Sequence, residues 1–416
     1  MTIQKIEAMR FFFRASVATL IAVSLFACVA SLRTQPQSLT TVEISLAVPN
    51  RCSGWHAQPC SAERDCPQGE QCVSVVTTDI PAFGRDGGHT VRFGDGVLWI
   101  FGDTFTPTGM LSSTAGWSRL SDPQTLSAPT DADGMPIQFF PFTEEEMRFN
   151  ESHADVPECC GDQTGCENAQ PYCNCPDDTD CAARIALWPG DGIPRGDDAQ
   201  FYYEKFVIGT APYDFRRVGV GLARLQDGAQ TAERELDSDG EPRLLFGATE
   251  PGFARGLSVN DELPRFYVYA NVNRQGCAVD VVIGRVELTA LDDRRRYEFW
   301  DGSTWTAEMN EATPILEQIP GGLGSVIWND YLGRYLSAWN DLCTGGRTLF
   351  VRTASRPEGP WSRPLSVDLS VVGATHEAYY GLLHPEFGNG RSLLLSYFQP
   401  LRETYGQIRL LRLTLG

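Results

Sequence analysis

Residues Gly84–Phe105 read GRDGGHTVRFGDGVLWIFGDTF and contain two short runs of strand-forming residues around a turn. His89–Phe93 and Val97–Phe101 are rich in β-branched and aromatic residues. The Asp95-Gly96 dipeptide between them is typical of a tight two-residue turn. This stretch therefore predicts a β-hairpin.

Two aspartates flank this hairpin, Asp86 in front of the first run and Asp103 behind the second. With Asp95-Gly96 as the loop, the two are diagonal neighbours on one face of the hairpin, with backbones about 7–8 Å apart. A loop formed one residue earlier would place them directly opposite each other. Both registers bring the two carboxylates close together.

The aspartate pair has a catalytic and a structural interpretation. In glycoside hydrolysis one carboxyl group protonates the leaving oxygen, and the other activates water or attacks the sugar. Carboxyl groups about 6.5–9.5 Å apart give inversion, and groups about 5 Å apart give retention. The diagonal register favours inversion, and the glycines around Asp86 favour it as the open, ionised base. Aspartates at turns are also common structural residues.

Groups of strand-like runs recur along the rest of the chain, bounded by Gly, Pro, Asn and Asp, without a sustained helical period. Five groups of three or four strands fit a five-bladed β-propeller, an all-β fold, and a pair of β-sandwiches is the alternative. We expect the propeller over residues 78–416. The groups are TVRFGDGVLWIFGDTF from 90, AQFYYEKFVIGT from 199, RFYVYANV from 265, GSVIWNDYLGRYLSAWN from 324 and YYGLLHPEF from 379.

The N-terminal residues predict export. Residues 1–27 combine basic residues with an apolar run that is too short for a membrane span, as in a signal peptide. Ala27-Cys28 resembles a bacterial lipobox, so we expect cleavage before Cys28, lipidation of its thiol and a linker over residues 28–48. The absence of Asp after Cys28 favours an outer-membrane or cell-surface lipoprotein. A plain signal peptide is the alternative.

The cysteine pattern agrees with an oxidising compartment. Thirteen cysteines, less Cys28, leave twelve, an even number. We expect disulfides in a Cys-rich segment over residues 49–77 and in a Cys-rich insertion over residues 155–184. Cys277 and Cys343 stand alone and are predicted to pair with each other. Neither cluster has the paired Cys-x-x-Cys spacing of a zinc site, and we predict no metal.

The charge of the chain limits the expected partners. With 53 acidic against 34 basic residues and a net charge of −19, nucleic acid is a poor partner, and a neutral polysaccharide fits better. No phosphate-binding glycine loop is present between a strand and a helix, so no nucleotide cofactor is expected. We expect a monomer that contacts the membrane through its lipid anchor alone.

Seven segments carry a resemblance to a known family. They are GRDGGHTVRFGDGVLWIFGDTF, PIQFFPFTEEE, ALWPGDGI, RRYEFWDGSTW, SVIWNDYLGRYLSAWN, ASRPEGPWSRP and YGLLHPEF. Together they resemble the family of domain of unknown function 4185. The resemblance implies a five-bladed propeller like those of glycoside hydrolases, some relatives being endo-D-arabinanases, with Asp86 and Asp103 as candidate catalytic residues. It covers roughly residues 78–416 outside the second cysteine cluster.

Further residues are candidates for substrate binding in a propeller funnel. Trp188 is either a platform on which a sugar stacks or a buried core residue. The other candidates are polar residues at the starts of strand groups, each with a solvated-turn or structural alternative. They are Asp197, Asp198, Asn260, Asp261, His376, Glu377 and His384.

Two functions remain open from sequence alone. The first is a cell-surface glycoside hydrolase that uses Asp86 and Asp103 as an acid/base pair on a polysaccharide, with D-arabinan and endo-action suggested by the resemblance. The second is a non-catalytic carbohydrate-binding or surface-interaction propeller. The hydrolase requires both carboxyl groups to reach one open pocket.

Overall fold

A computed structural model describes residues 38–47, 50–52, 59–60, 63–68, 72–82, 84–154, 183–209, 214–260, 263–375, 377–402 and 405–416. In these residues the strands form five main sheets, and the innermost strands of the five sheets contact each other around a central channel. The predicted all-β, five-bladed propeller is confirmed. No helix within the described ranges is long and apolar enough to span a membrane.

Five short strands precede the first blade in the described part of the chain. The first belongs to the last blade, the next three form a small separate sheet, and the fifth joins the edge of blade 1. They are β1 (Val42–Leu46), β2 (Asn50–Cys52), β3 (Pro59–Cys60), β4 (Cys72–Val73) and β5 (Thr77–Thr78).

Blades 1 and 2 follow, and helix α1 (Glu144–Ala154) lies between them in the chain. Blade 1 contains β6 (Gly84–Phe93), β7 (Gly96–Thr106), β8 (Gly109–Leu111), β9 (Thr114–Arg119) and β10 (Asp122–Ser127). Blade 2 contains β11 (Arg184–Arg195), β12 (Asp198–Ile208), β13 (Phe215–Leu225), β14 (Glu233–Arg234) and β15 (Leu244–Gly247).

The remaining blades complete the ring. Blade 3 contains β16 (Arg255–Asn260), β17 (Leu263–Gln275), β18 (Ala278–Glu287), β19 (Glu298–Trp300), β20 (Trp305–Thr306) and β21 (Leu316–Pro320). Blade 4 contains β22 (Ser325–Asn329), β23 (Arg334–Asn340), β24 (Thr348–Ala354) and β25 (Leu365–Asp368). Blade 5 contains β26 (Tyr379–His384), β27 (Ser392–Arg402) and β28 (Tyr405–Leu415), and β1 is its outer strand.

The core lies between neighbouring blades. The run Val97–Phe101 in β7 is buried at every position. A strand covered on both faces gains from apolar residues at consecutive positions, which explains why this run lacks an alternating pattern. Between blades 1 and 2, Leu98 and Ile100 pack in one cluster with Phe201.

Helix α1 was not expected from the sequence, because it is short and its apolar period is weak. Its start nevertheless carries a capping box: the Thr143 N–H donates to Glu146 Oε2 at 2.9 Å, and the Glu146 N–H donates to Thr143 Oγ1 at 3.2 Å. Arg234 and Lys205 lie 2.7 and 2.6 Å from the buried Glu146 carboxylate. These ion pairs hold the helix against blade 2.

Strand β1 closes the ring, which corrects the domain boundary. Residues 28–48 were expected to be a linker and the propeller to begin at 78, but Val42 pairs with Leu415 and Leu46 with Leu411. The apolar residues of β1 are half-buried against the core of blades 4 and 5. A free edge on β28 would expose unpaired backbone groups, and β1 covers that edge.

The predicted bridge between Cys277 and Cys343 is present, with Cα atoms 5.4 Å apart. Cys277 lies in the β17–β18 turn and Cys343 follows β23, so the bridge joins blades 3 and 4. In the small N-terminal sheet, Cys52, Cys60 and Cys66 lie within metal-ligand distance of one another, but all three form disulfides. These bridges join Cys52 to Cys66 and Cys60 to Cys72. The cysteine cluster at 159–181 lies outside the described residues.

We predict that Ser45→Pro destabilises the propeller by about 1–3 kcal/mol, because proline removes a backbone donor from the closing strand. Ser45 is exposed and faces Arg412 across the ladder, so no side-chain packing is lost. Urea denaturation measures the effect, with Ser45→Thr as the matched control. Equal stability of the two variants would show that β1 does not close the ring.

We predict that the double substitution of Cys277 and Cys343 by Ser lowers the free energy of unfolding by about 2–4 kcal/mol, because a bridge across 66 residues restricts the unfolded chain. Thermal or urea unfolding without reductant measures this loss. An unchanged midpoint would contradict the prediction.

Candidate active site

The innermost strands of the five blades are β6, β11, β16, β22 and β26, and neighbouring members of this ring lie in contact. Asp86, near the start of β6, contacts Tyr379 at the start of β26. Asp103, which lies opposite Asp86 in β7, contacts Arg184 at the start of β11. These three innermost strands therefore run in the same direction around the channel. Their N-terminal ends therefore meet at one opening, called here the mouth.

The β6–β7 hairpin reaches the mouth at the end opposite its loop. Phe93 pairs with Gly96, so the loop is Gly94-Asp95 and not Asp95-Gly96. Gly94 has φ 55°, in the left-handed region that glycine tolerates, and this explains the choice of loop. The expected diagonal register is therefore wrong, and the register one residue earlier is present.

In this register Asp86 lies directly opposite a two-residue bulge, Gly102 and Asp103, between the pairs formed by Arg85 with Thr104 and by Gly87 with Phe101. The Asp103 N–H donates to the Asp86 carboxylate. A Cβ atom at position 102 would lie 2.4 Å from Asp86 Oδ1, so glycine is required there for this close approach. The hairpin thus brings the two candidate catalytic aspartates together.

Asp86 is the protonated member of the pair. Burial, followed by the negative charge of Asp103, raises the pKa of Asp86 from 3.8 to about 8. The Tyr379 hydroxyl donates to Asp86 Oδ2 at 3.2 Å and opposes this rise. A carboxylic acid with such a pKa holds its proton at neutral pH and can donate it. This contrasts with the expectation that Asp86 is the ionised base.

Asp103 has partners that stabilise a negative charge. Arg184 Nη2 donates to its Oδ2 at 2.7 Å, and the indole Nε1 of Trp188 donates to its Oδ1 at 2.9 Å. The Asp103 side chain is 19% exposed, so it reaches the solvent of the mouth. Each oxygen keeps a lone pair beyond the one used by its donor. Asp103 is therefore an oriented carboxylate beside a carboxylic acid.

Trp188 is partly buried against aromatic residues and also takes part in the site. Its ring is partly buried against Phe206 and Phe215, with centroids 4.8 and 5.3 Å away, while its N–H orients Asp103. It is therefore neither a core residue alone nor an isolated platform.

A second group of polar residues, contributed by blades 2, 3 and 5, was not predicted from the sequence. Arg255 donates through Nε and Nη2 to Glu204 Oε2, both at 3.2 Å, and through Nη2 to the Tyr380 hydroxyl at 3.2 Å. Tyr380 has φ 55°, a strained conformation for a non-glycine residue and one that is typical of functional sites. Glu204 in FYYEKF was a usable signal, because a charged residue inside an apolar strand requires a buried partner.

Deeper in the channel, His384 belongs to a separate network. Thr90 Oγ1 lies 2.8 Å from His384 Nδ1 and donates to Glu386 at 2.9 Å, while His384 Nε2 lies 2.7 Å from Ser396 Oγ. Burial lowers the pKa of His384 to about 3, so the ring is neutral. The cavity there, about 80 Å³, has room for a few waters but not for a sugar ring. His384 therefore does not contact the aspartate pair.

Asp197 and Asp198 lie far from the mouth, because they occupy the hairpin turn at the other end of β11 and β12. At about 3.3 Å per residue, the turn lies about 20 Å from Trp188. Asp198 forms an ion pair with Arg224 and accepts from the Asp227 N–H at 3.0 Å. These contacts give it the role of a turn residue.

The remaining candidates do not join the site within the described residues. The backbone of Asn260 ends β16 at the far side of the channel from Arg255. Glu377 is exposed, with φ 71°. Asp261 and His376 lie outside the described residues.

No match was found among curated proteins. Among solved structures, the chain is similar to a xylan β-1,4-xylosidase from Bacillus halodurans, with 13% identity, a TM-score of 0.46 and coverage of 80% of this chain and 54% of that chain. It is also similar to an α-L-arabinofuranosidase from Podospora anserina, with 8% identity, a TM-score of 0.43 and coverage of 83% and 97%.

A third similar structure is a family 117 glycoside hydrolase from Zobellia galactanivorans, with 11% identity, a TM-score of 0.43 and coverage of 82% and 89%. A family model matches residues 228–405, a segment that does not include Asp86 or Asp103. The pairing of these aspartates therefore rests on the geometry of the β6–β7 hairpin. The family is the one described as domain of unknown function (DUF4185), and the part of this chain that is similar to it runs from the end of blade 2 into blade 5.

Proposed function

We propose that the protein is a glycoside hydrolase in which Asp86 is the general acid and Asp103 the anionic partner. The observation that carries this proposal is the close approach of two carboxyl groups with opposite electrostatic environments. Burial and the charge of Asp103 keep the proton on Asp86, whereas Arg184 stabilises the negative charge on Asp103. Pairs of carboxyl groups with separated roles are what glycoside hydrolysis requires.

The register bears on the stereochemical outcome. Direct opposition of Asp86 and the bulge at Asp103 favours the shorter separation, about 5 Å, which is typical of retaining enzymes. In that mechanism the Asp103 carboxylate attacks the anomeric carbon while Asp86 protonates the leaving oxygen. Asp86, now ionised, then removes a proton from the water that breaks the glycosyl-enzyme bond.

For the substrate we propose a neutral polysaccharide, with D-arabinan cleaved internally as the specific candidate. The net charge of −19 disfavours anionic polymers. The choice of D-arabinan rests on the sequence resemblance described above. If the protein is instead a binding module, it will retain polysaccharide without producing new chain ends.

We further propose that the protein works at the cell surface as a lipoprotein modified at Cys28. Three disulfides among the described residues agree with an oxidising compartment. Mass spectrometry of the mature N-terminus and membrane fractionation test this proposal, and an unmodified, soluble N-terminus would refute the anchor.

We predict that Asp86→Asn and Asp103→Asn each lower kcat on soluble D-arabinan by about 10²–10⁴-fold, because each removes one half of the acid/base pair. Reducing-end release measures the rate. Asp198→Asn is the matched control, since this aspartate lies in the turn at the far end of blade 2, and it should keep full activity. Near-normal rates in both site variants would rule out the catalytic assignment.

We predict that activity falls as the pH rises through about 8, because Asp86 must carry its proton to act as the acid. In Tyr379→Phe this alkaline limb should move to higher pH, since the lost hydrogen bond favours the ionised form of Asp86. A pH profile of kcat/KM checks both points. An alkaline limb at the same pH in both proteins would mean that a group other than Asp86 controls it.

The same proton affects stability. The pKa of Asp86 is about 8 in the folded protein and 3.8 in the unfolded chain. At a pH between these two values, the native state keeps the Asp86 proton and the unfolded state has lost it. The free energy of unfolding therefore falls as pH rises across this window. Urea denaturation at several pH values should show a weaker fall in Asp86→Asn.

A further inference from the structure

Three aromatic side chains of blade 2 form a continuous row that begins at the aspartate pair. Trp188 comes from β11, Phe206 from β12 and Phe215 from β13. The Trp188 ring lies 4.8 Å from Phe206 and 5.3 Å from Phe215, measured between centroids. These three residues are called the aromatic row below.

The register places the row on one face of the blade. Trp188 pairs with Glu204, which shares a face with Phe206 two residues later. Phe215 pairs with Ile208, which follows on the same face. The three residues come from successive strands of blade 2, which lie about 4.8 Å apart. The row therefore runs outward from the channel along the end of blade 2 that lies at the mouth.

The row is accessible to a ligand. Phe215 is 48% exposed, and Phe206 and Trp188 are partly exposed. Single exposed aromatic residues are common on proteins. Trp188 contacts both Phe206 and Phe215, so the three rings form a continuous apolar surface. The hydrogen bond from Trp188 to Asp103 connects this surface to a polar site. Ligand sites combine such apolar surfaces with a few placed polar groups.

We propose that the aromatic row binds sugar units of the polysaccharide adjacent to the bond that Asp86 and Asp103 cleave. This inference rests on the proposed function and extends it from the cleavage point to the neighbouring units of the chain. The apolar faces of sugar rings pack on aromatic rings, and the ring hydroxyls remain in water. A row that extends beyond the cleavage point gains binding energy from long substrates and little from short ones, as internal cleavage requires.

Binding is tested in the Asp86→Asn background, where turnover does not consume the ligand. The probes are soluble D-arabinan, long arabinofuranosyl oligosaccharides and an arabinofuranosyl disaccharide, and titration calorimetry measures their affinities. Phe215→Ala should weaken binding of the polymer and the long oligosaccharides by about three- to tenfold and leave the disaccharide unchanged. Phe215→Trp should keep the affinity.

Leu236→Ala is the control for loss of an exposed apolar side chain, because Leu236 is 58% exposed and follows β14, away from the mouth. It should bind as its parent does. Equal affinity of Phe215→Ala and its parent for long ligands would overturn the proposal, as would an equal loss on long ligands and the disaccharide. Failure of all variants to bind would also overturn it.

The outcomes separate this inference from the proposed function. Weaker polymer binding in Phe215→Ala, together with no hydrolysis by the wild type, would support the row as a binding site and reject the hydrolase. Hydrolysis by the wild type with unchanged kcat/KM in Phe215→Ala on both polymer and a nitrophenyl arabinofuranoside would reject the row and keep the hydrolase.

Discussion

Closure of the ring is the constraint on which the rest of the structure depends. The last blade takes its outer strand, β1, from the N-terminal part of the chain, and Val42 pairs there with Leu415. This pairing covers the edge that β28 would otherwise expose. Because the ring is closed, the N-terminal ends of the innermost strands stay gathered at one mouth. The polar groups that surround Asp86 come from several blades and meet only in the closed arrangement.

Within the mouth, the burial of Asp86, together with the negative charge of Asp103, determines which carboxyl group is protonated. Two neighbouring carboxyl groups in a partly buried site are not both ionised, because burial and mutual repulsion disfavour the second negative charge. One of them therefore keeps a proton. Arg184 and Trp188 direct the charge to Asp103, and Asp86 takes the proton. The same interactions that settle this conflict in the folded protein also assign an acid and an anion. As a result, Asp86 can donate a proton at neutral pH, and the free energy of unfolding is lower there than at acidic pH.

The local features of the site were predictable from sequence, and the distant ones were not. The hairpin at Asp86 and Asp103 is encoded in 22 consecutive residues. Its loop was misplaced because glycines on both sides of Asp95 allow two turns, and only the backbone shows which one takes positive φ. Arg184 and Tyr379 lie 81 and 293 residues from the aspartates they contact, and no local pattern reports such pairing. The closing strand was missed for the same reason.

The bulge at the site has a consequence for how the chain tolerates insertions and deletions. Two residues of β7 oppose Asp86, and Gly88 of β6 then has no partner, so the two irregularities cancel. On either side of them the register is the same, and each side chain keeps its face. Removing Gly102 alone would turn every later residue of β7 to the opposite face. Lineages with a shorter site would therefore have to lose one residue from each strand together.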